Sequence, residues 1–291
     1  MTGKFQNGAV NVRISDRKVS SFANFMSGLM RGGGTTRPVL VVAAHPDDEV
    51  IGAGELMGRL PEVALLHVTD GAPLDGKDAR AAGFSTREEY ARARRLEARA
   101  ALEVGGVRTV MFRSLDVPDQ QASLRLLEIT RRVARVFEEL EPEAVITHPY
   151  EGGHPDHDAT AFAVRCAWRM VHARKLRAPV LVEMTSYHNR AGCMVRGDFL
   201  PCGGTSWPFV FSVLARVRKQ QMLDCHATQQ RTLRSFPAGS ERFRPAPDYD
   251  FARAPHAGTL LYEMFDWGMT GARWRMLAAA ALEKLEAAKW R

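Results

Sequence analysis

The sequence has 291 residues, of which 45% are hydrophobic, a composition typical of a folded globular protein rather than a disordered or collagen-like chain. Its length fits one large α/β domain, or a main domain with a smaller appendage. The formal net charge of +7 raises the question of a nucleic-acid partner. Because 33 of the 40 basic residues are arginines scattered among acidic residues, we predict no sequence-specific nucleic-acid binding.

Targeting signals and a disulfide framework are both missing from the sequence. It has no run near the ~18 consecutive apolar residues of a membrane span, and no apolar signal-peptide core near its start, so we expect a cytoplasmic protein. Its four cysteines are widely spaced and form no Cys-x-x-Cys pair, so we expect reduced thiols rather than disulfides or a cysteine zinc site. They are Cys166, Cys193, Cys202 and Cys225.

Residues 1–36 are predicted to form an N-terminal extension, joined to the rest through Gly32-Gly33-Gly34. Within it, apolar side chains recur at helical spacing and predict a short amphipathic helix. The stripe consists of Phe22, Phe25, Met26, Leu29 and Met30. Because it lacks the flanking basic cluster expected beside anionic lipid, we expect this helix to pack on the domain or on a neighbouring subunit rather than on a membrane.

From residue 38 onward, short apolar runs alternate with helical segments. This alternation is typical of a parallel sheet covered by helices on both faces. We therefore predict an α/β fold with three layers, Rossmann-like, with a mostly parallel sheet of strand order 3-2-1-4-5 and a core over residues 37–178. The predicted strands are Val39–Ala44, Val63–Val68, Val107–Phe112, Ala144–Thr147 and Val180–Met184.

Residues 179–291 are predicted to form a smaller C-terminal α/β portion of the same domain, in which the alternation loosens. An apolar run over Phe209–Leu214 leads into a polar helix through Gln230. We assign no strand to the proline-rich stretch Phe236–Pro255, and we expect a last helix from about Gly271.

Two short motifs carry most of the functional signal. They are Ala44-His45-Pro46-Asp47-Asp48-Glu49 and His154-Pro155-Asp156-His157, and each follows an apolar strand. In open parallel sheets, ligands bind outside the carboxyl ends of the strands, where the strand order reverses. With the order 3-2-1-4-5, the first and fourth strands are neighbours at that point. The two motifs should therefore face each other across one crevice.

These motifs supply imidazoles and a carboxylate in the number that a catalytic metal site needs. His45 and Asp48 can point at one centre where the chain turns from strand to helix, and His157 can supply a third ligand. Imidazole with carboxylate suits zinc better than calcium or magnesium, and three protein ligands leave positions open for water and substrate. We predict one Zn²⁺ per chain, with another divalent transition metal as the alternative.

The neighbouring residues fit roles in catalysis. Asp47 is the candidate base for a water molecule, and a protonated His154 could stabilise an oxyanion or protonate a leaving amine. The carboxylate of Asp156 could hydrogen-bond His154 and hold its charge and tautomer. The structural alternative is that these carboxylates only cap helices. Both motifs at the strand ends of one α/β pattern favour the metal site.

Gly52-Ala53-Gly54 invites comparison with a nucleotide-binding loop. That pattern would need a third glycine where Met57 stands, and the carboxylates at 47–49 would repel a pyrophosphate. We expect these glycines to allow close packing of the helix on the sheet.

With these residues in view, the sequence resembles the LmbE-like (PIG-L) family of zinc-dependent N-acetylglucosaminyl deacetylases. The resemblance runs from about Pro38 to about Gln230, and its anchors are AHPDDE at 44–49 and HPDH at 154–157. It implies the same ligands and catalytic residues, and it adds two substrate-binding candidates. These are Arg94, whose alternative is a solvated helix arginine, and His226 in the segment HATQ. The sequence departs from the family at Glu55, where a second consecutive glycine is common.

The resemblance implies hydrolysis of an N-acetyl group on an amino sugar, with zinc binding the amide oxygen and the attacking water. The predicted partner is therefore an amino-sugar-containing small molecule or glycoconjugate, and homo-oligomerisation is left open. One alternative is an amidase acting on a thiol-sugar or acylated antibiotic-sugar conjugate. An alternative of another class is a metal-binding regulatory or scaffold protein without turnover.

Overall fold

The computed structural model describes residues 15–31, 34–201 and 206–290, apart from the side chain of Met30. Gly32, Gly33 and Cys202 of the sequence predictions lie outside these residues. The strands are β1 (Val39–Ala43), β2 (Val63–Pro73), β3 (Thr109–Asp119), β4 (Ala144–Thr147), β5 (Val180–Met184), β6 (Tyr187–Arg190), β7 (Cys193–Arg196), β8 (Trp207–Val210) and β9 (Ser240–Pro245).

Helices connect and cover these strands. They are α1 (Asp16–Met30), α2 (Asp48–Met57), α3 (Lys77–Ala81), α4 (Arg87–Val104), α5 (Leu126–Leu140), α6 (Pro155–Ala173), α7 (Val213–Asp224), α8 (Gln230–Leu233) and α9 (Gly271–Ala287). Short 3-10 segments cover Ala122–Arg125, Ala227–Gln229 and Leu261–Met264. None of the described helices has both the length and the apolar content of a membrane-spanning segment.

In the described part of the chain, the central sheet has the strand order β3-β2-β1-β4-β5-β9-β8. The strands from β3 to β5 are parallel, which confirms the predicted order 3-2-1-4-5 and the Rossmann-like α/β class. The strands β9 and β8 add to the β5 edge in antiparallel fashion. A separate hairpin joins β6 to β7.

The sequence prediction places no strand in Phe236–Pro255, and this is wrong because β9 lies inside that stretch. The strand carries charged residues, Glu241 and Arg244, whose side chains are buried in ion pairs, so it lacks the apolar pattern of the other strands. Pro245, which ends the strand, donates no hydrogen bond to a sheet. The C-terminal portion therefore shares the sheet of the core.

Side chains of successive strand residues go to opposite faces of the sheet. In β1, Leu40 and Val42 pack in the layer formed with α5, α6 and α9. Val39 and Val41 pack in the other layer, with residues of α1 and α2. Both layers are apolar, and this explains why the strands are continuously hydrophobic rather than alternating.

Helix α1 packs on the sheet through the apolar stripe that the sequence analysis identified. Phe22 and Met26 are buried in the same layer as Val39 and Val41, and Phe25 and Leu29 are partly buried against it. The stripe is therefore covered by the chain's own core, which agrees with packing on the domain rather than with membrane attachment.

We expect Met26→Ala to lower the free energy of unfolding by about 2–5 kcal/mol, because the side chain is fully buried and its loss leaves a cavity. Val19→Ala on the same helix is the matched control, since Val19 is 42% exposed and should change stability by less than about 0.5 kcal/mol. Urea unfolding followed by circular dichroism measures both. Equal effects would mean that α1 is not docked as described.

Candidate metal centre

The two predicted motifs meet at the carboxyl ends of β1 and β4. The strands are adjacent and parallel, with Val42 opposite Thr147. The first motif turns from β1 into α2, whose first residue is Asp48, and the second begins α6 just after His154. The crevice expected between the first and fourth strands is therefore present.

The structure brings His45, Asp48 and His157 together. Nδ1 of His45 lies 3.0 Å from Oδ2 of Asp48, and Nε2 of His157 lies 3.2 Å from Oδ1 of the same carboxylate. All three side chains are buried. Three imidazole and carboxylate groups packed this closely form a donor set of the kind that divalent transition metals bind.

The two distances to the Asp48 carboxylate, from His45 and from His157, are close to the spacing that a metal ion imposes on its ligands. Ligand atoms about 2.0–2.2 Å from a tetrahedral zinc ion are about 3.3 Å from one another. In addition, Nε2 of His157 has no hydrogen-bond partner among the described residues, although it is buried. Its Nδ1 faces the hydroxyl of Ser186 at 3.1 Å, a contact that can fix the tautomer and leave Nε2 free for a metal.

Three overlapping groups of potential ligand atoms occur among the described residues. The first contains His45, His154 and His157, and the second contains Asp48, His148 and His157. The third consists of His45, Asp119, His154 and Asp156. None of these three groups contains all three predicted ligands, His45, Asp48 and His157. Nε2 of His148 already accepts the backbone N–H of Ala44 at 3.0 Å, so that atom is engaged elsewhere.

The carboxylate of Asp48 is held in its ionised form by the imidazoles around it. Burial opposes ionisation, but His157, His148 and His45 hold the pKa of Asp48 well below its ordinary value. Sequence reasoning missed His148, which follows β4 and stacks on His157 with ring centroids 4.0 Å apart. Its only sequence signal was its position directly after an apolar strand.

Asp47 lies beside this group, with Arg94 as its partner. Nη2 of Arg94 donates to Oδ2 of Asp47 at 2.9 Å, and the guanidinium also donates to the carbonyls of Gly71 and Pro46. Burial raises the pKa of Asp47 to about 7, although Arg94 acts in the opposite direction. A carboxylate with such a pKa can accept a proton near neutral pH.

Arg94 is buried in this contact, so the alternative of a solvated helix arginine paired with Glu97 is wrong. Glu97 instead accepts hydrogen bonds from the backbone and hydroxyl of Thr228. Arg94 reaches the site because α4 runs alongside β2, whose end carries Gly71. A side chain at Gly71 would collide with the guanidinium, which explains the glycine there.

The structure corrects the predicted support of His154 by the Asp156 carboxylate. Nδ1 of His154 accepts the backbone N–H of Asp156 at 3.1 Å, whereas the Asp156 carboxylate accepts the backbone N–H groups of Gln120 and Ala122. The proton of the neutral His154 ring is therefore on Nε2. Burial and the neighbouring His45 lower the pKa of His154 well below its ordinary value, so the ring is neutral rather than protonated as expected.

Asp119 is a site residue that sequence reasoning missed. Its Oδ1 lies 3.0 Å from Nε2 of His45 and 3.8 Å from Nε2 of His154, and its Oδ2 lies 3.9 Å from Arg94. The predicted third strand ends at Phe112, whereas β3 continues to Asp119 through irregular pairing with β2. The available signal was an aspartate at the carboxyl end of a strand.

His226 is not part of the metal group. It is fully buried, both ring nitrogens lack hydrogen-bond partners among the described residues, and burial lowers its pKa to about 4. The charges that act on it are those of Glu49, Arg94, His67 and Asp48. A side chain without exposed surface offers a substrate no contact, so the structure does not favour the predicted substrate-binding role.

Comparisons with known proteins place the sequence among de-N-acetylases. The family described as "PIG-L: GlcNAc-PI de-N-acetylase" matches residues 40–168. The chain is 30% identical over 168 residues to a "Probable N-acetyl-alpha-D-glucosaminyl L-malate deacetylase 2" of Bacillus cereus. This match covers 56% of the chain and 74% of the relative. Both motifs fall inside the matched family region.

Solved structures share the fold at lower identity. A deacetylase of the teicoplanin biosynthetic pathway superposes with a TM-score of 0.55 at 18% identity, over 73% of this chain and 99% of that one. The N,N'-diacetylchitobiose deacetylase of Pyrococcus horikoshii gives 0.52 at 19% identity, over 81% and 94%.

We expect His157→Ala to lower the metal content of the purified protein from about one ion per chain to a small fraction, because it removes one of three protein ligands. His172→Ala is the matched control, since His172 is an exposed histidine of the same helix, α6. Metal analysis after dialysis against zinc measures both. An unchanged metal content in His157→Ala would contradict this ligand assignment.

Proposed function

The chain belongs to the PIG-L family of de-N-acetylases and is a hydrolytic N-deacetylase, and from this premise we propose that it removes the N-acetyl group of an N-acetylglucosamine conjugate. The proposal rests above all on one observation. A buried carboxylate, that of Asp47, lies next to the group formed by His45, Asp48 and His157, and a buried arginine holds it.

We assign the three ligands to a divalent ion, with Zn²⁺ as the proposed metal. A metal held there supplies Lewis-acid chemistry, because it polarises an amide carbonyl and makes a water molecule easier to deprotonate. Asp119 faces Nε2 of His45, so it orients the ring with Nδ1 toward Asp48.

Asp47 is the proposed general base. Its contact with Arg94 fixes the carboxylate, and its pKa of about 7 suits proton transfer at neutral pH. The same carboxylate, once protonated, can return the proton to the departing amine. A scaffold protein would need the metal ligands but would have no use for a buried carboxylate held beside them by an arginine.

His154 is the proposed hydrogen-bond donor to the oxygen that becomes negative as the amide is attacked. Its Nε2 carries the proton and faces the cluster, while the backbone of Asp156 holds its Nδ1. A neutral imidazole can fulfil this role without being protonated. Asp156 is therefore proposed to orient the loop around His154 through its backbone and its contacts with residues 120 and 122.

Two aromatic side chains border the site from the portion after residue 178. The ring of Trp267 lies 4.5 Å from that of His154, and the ring of Tyr187 lies 5.1 Å from that of His157, measured between centroids. Aromatic faces suit the apolar side of a sugar ring. We therefore propose that residues 37–178 carry the chemistry and that residues 179–291 contribute the contacts that select the substrate.

We expect the zinc-loaded protein to release acetate and a free amine from N-acetylglucosaminyl malate, the substrate in the name of the Bacillus cereus relative. A panel with N-acetylglucosaminyl lipids, acylated antibiotic sugars and thiol-sugar conjugates would identify the aglycone, with acetate measured enzymatically and the amine by mass spectrometry. Cleavage of only a non-sugar amide would contradict the proposed substrate class. Absence of acetate release from every member would contradict the proposed function.

We expect Asp47→Asn to reduce kcat by about 100-fold or more, because an amide cannot accept the proton of the attacking water. Metal content should stay unchanged, since Asp47 is not a proposed ligand. The control is Asp116→Asn, the same change at an exposed carboxylate of β3. Steady-state kinetics with metal analysis decides the role, and full activity of Asp47→Asn would refute it.

A further inference from the structure

A buried ion pair contacts the backbone of α2, the helix that begins at the metal-ligand candidate Asp48. Lys219 of α7 and Glu241 of β9 are both fully buried, with Nζ 2.5 Å from Oε1. Each also contacts the backbone of α2. Lys219 donates to the carbonyls of Val50 and Ile51, the latter at 3.0 Å. Glu241 accepts the N–H groups of residues 55 and 56 at 2.8 and 3.0 Å.

Stability alone does not explain such a pair. Transferring two charges from water into a protein interior costs several kcal/mol per ion, and apolar residues of similar volume often serve stability equally well. The ion pair also fixes the orientation of α2. Its ammonium and carboxylate groups address carbonyl and amide groups of a single helix at the same time, so both the rotation and the position of α2 are fixed.

Gly52 of α2 lies against the sheet, because a side-chain carbon there would be only 2.5 Å from Sδ of Met184 in β5. A side-chain carbon at Gly54 would make an ordinary contact, 3.4 Å, with Nζ of Lys219. The expected close packing of the helix on the sheet is therefore observed at Gly52. Glu55, where the sequence departs from the family, is fully buried and pairs with the half-exposed Arg218, whose Nε donates to it at 3.1 Å.

Two carboxylates of the candidate site, one proposed as a metal ligand and one as the general base, lie at the start of α2. Asp48 is its first residue and Asp47 directly precedes it, so any rotation of α2 moves both. From the geometry we infer that Lys219 and Glu241 are positioning residues, which set the placement of Asp47 and Asp48 through the backbone of α2. This inference rests on the proposed function for its catalytic consequence. By this inference, residues of the C-terminal portion help to position the side chains of the metal centre.

The test is Lys219→Met, which removes the ammonium group but keeps most of the side-chain volume. We expect metal affinity and kcat each to fall about 10-fold, with KM little changed, because the ligands and the base are displaced while the substrate contacts remain. The visible spectrum of the Co²⁺-loaded variant should also change, since it reports ligand geometry.

Arg218→Met is the matched control. Arg218 is the neighbour of Lys219 on α7 and pairs with the Glu55 side chain, but it is 41% exposed and has no contact with the α2 backbone among the described hydrogen bonds. Its metal affinity, Co²⁺ spectrum and kcat should equal those of the parent protein. If Lys219→Met lowers only the melting temperature and matches the parent in these three properties, the pair is merely structural and the inference is wrong.

If Lys219→Met does not fold, the double variant Lys219→Met with Glu241→Met is measured in its place. The double variant leaves no unpaired buried charge and is therefore expected to fold. Hydrogen exchange of the peptide spanning residues 44–56 needs neither metal nor substrate. We expect faster exchange there in the Lys219 variants and unchanged exchange in α5. Failure to deacetylate any substrate would overturn the proposed function, whereas unchanged exchange in this peptide would overturn the positioning role.

Discussion

The parallel alignment of β1 and β4 is the constraint on which the rest of the structure depends. β1 is paired on one side with β2 and on the other with β4, so the strand order reverses between β1 and β4 and leaves a crevice at their carboxyl ends. The residues leaving β1 and β4 therefore meet, although about 110 positions separate them in the sequence. Apolar layers on both faces of β1 fix this alignment, and a slip of one residue would move Asp48 away from His157.

The second feature of the site is the concentration of charge in a buried space. Asp47, Asp48, Asp119 and Asp156 lie close to several imidazoles, and among the described residues Arg94 is the arginine that pairs with this group. Burying so many carboxylates is unfavourable without a cation. A divalent ion held by the proposed ligands would satisfy this requirement and would give the unpartnered Nε2 of His157 a ligand role. The net charge of +7 therefore does not describe this candidate metal centre, which is locally acidic.

Sequence patterns predicted the parts of this structure that follow simple rules. Continuous apolar strands alternating with helices predicted a parallel sheet, and the order 3-2-1-4-5 expected for such a sheet is observed. That order and the position of each motif after a strand placed His45, Asp48 and His157 in one crevice. β9 escaped prediction because its charged residues are buried in ion pairs, and such pairing is visible only in three dimensions. Asp119 escaped because bulged pairing lengthens β3 beyond its apolar run.

The error at His154 has the same origin. Its residue type suggested a charged acid supported by a carboxylate, but the start of α6 turns the backbone amide of Asp156 toward Nδ1 and the carboxylate toward residues 120 and 122. Backbone contacts of this kind depend on local geometry rather than on residue identity. The buried pair of Lys219 and Glu241 is another case, since neither residue stands out in the sequence.

Anomalous diffraction at the zinc edge, from crystals of the zinc-loaded protein, tests the central claim most directly. The account predicts one peak per chain bounded by Nδ1 of His45, the carboxylate of Asp48 and Nε2 of His157. A peak on the other side of the His45 ring, held by Asp119, His154 and Asp156, would contradict it. The absence of any peak in the crevice between β1 and β4 would contradict it as well.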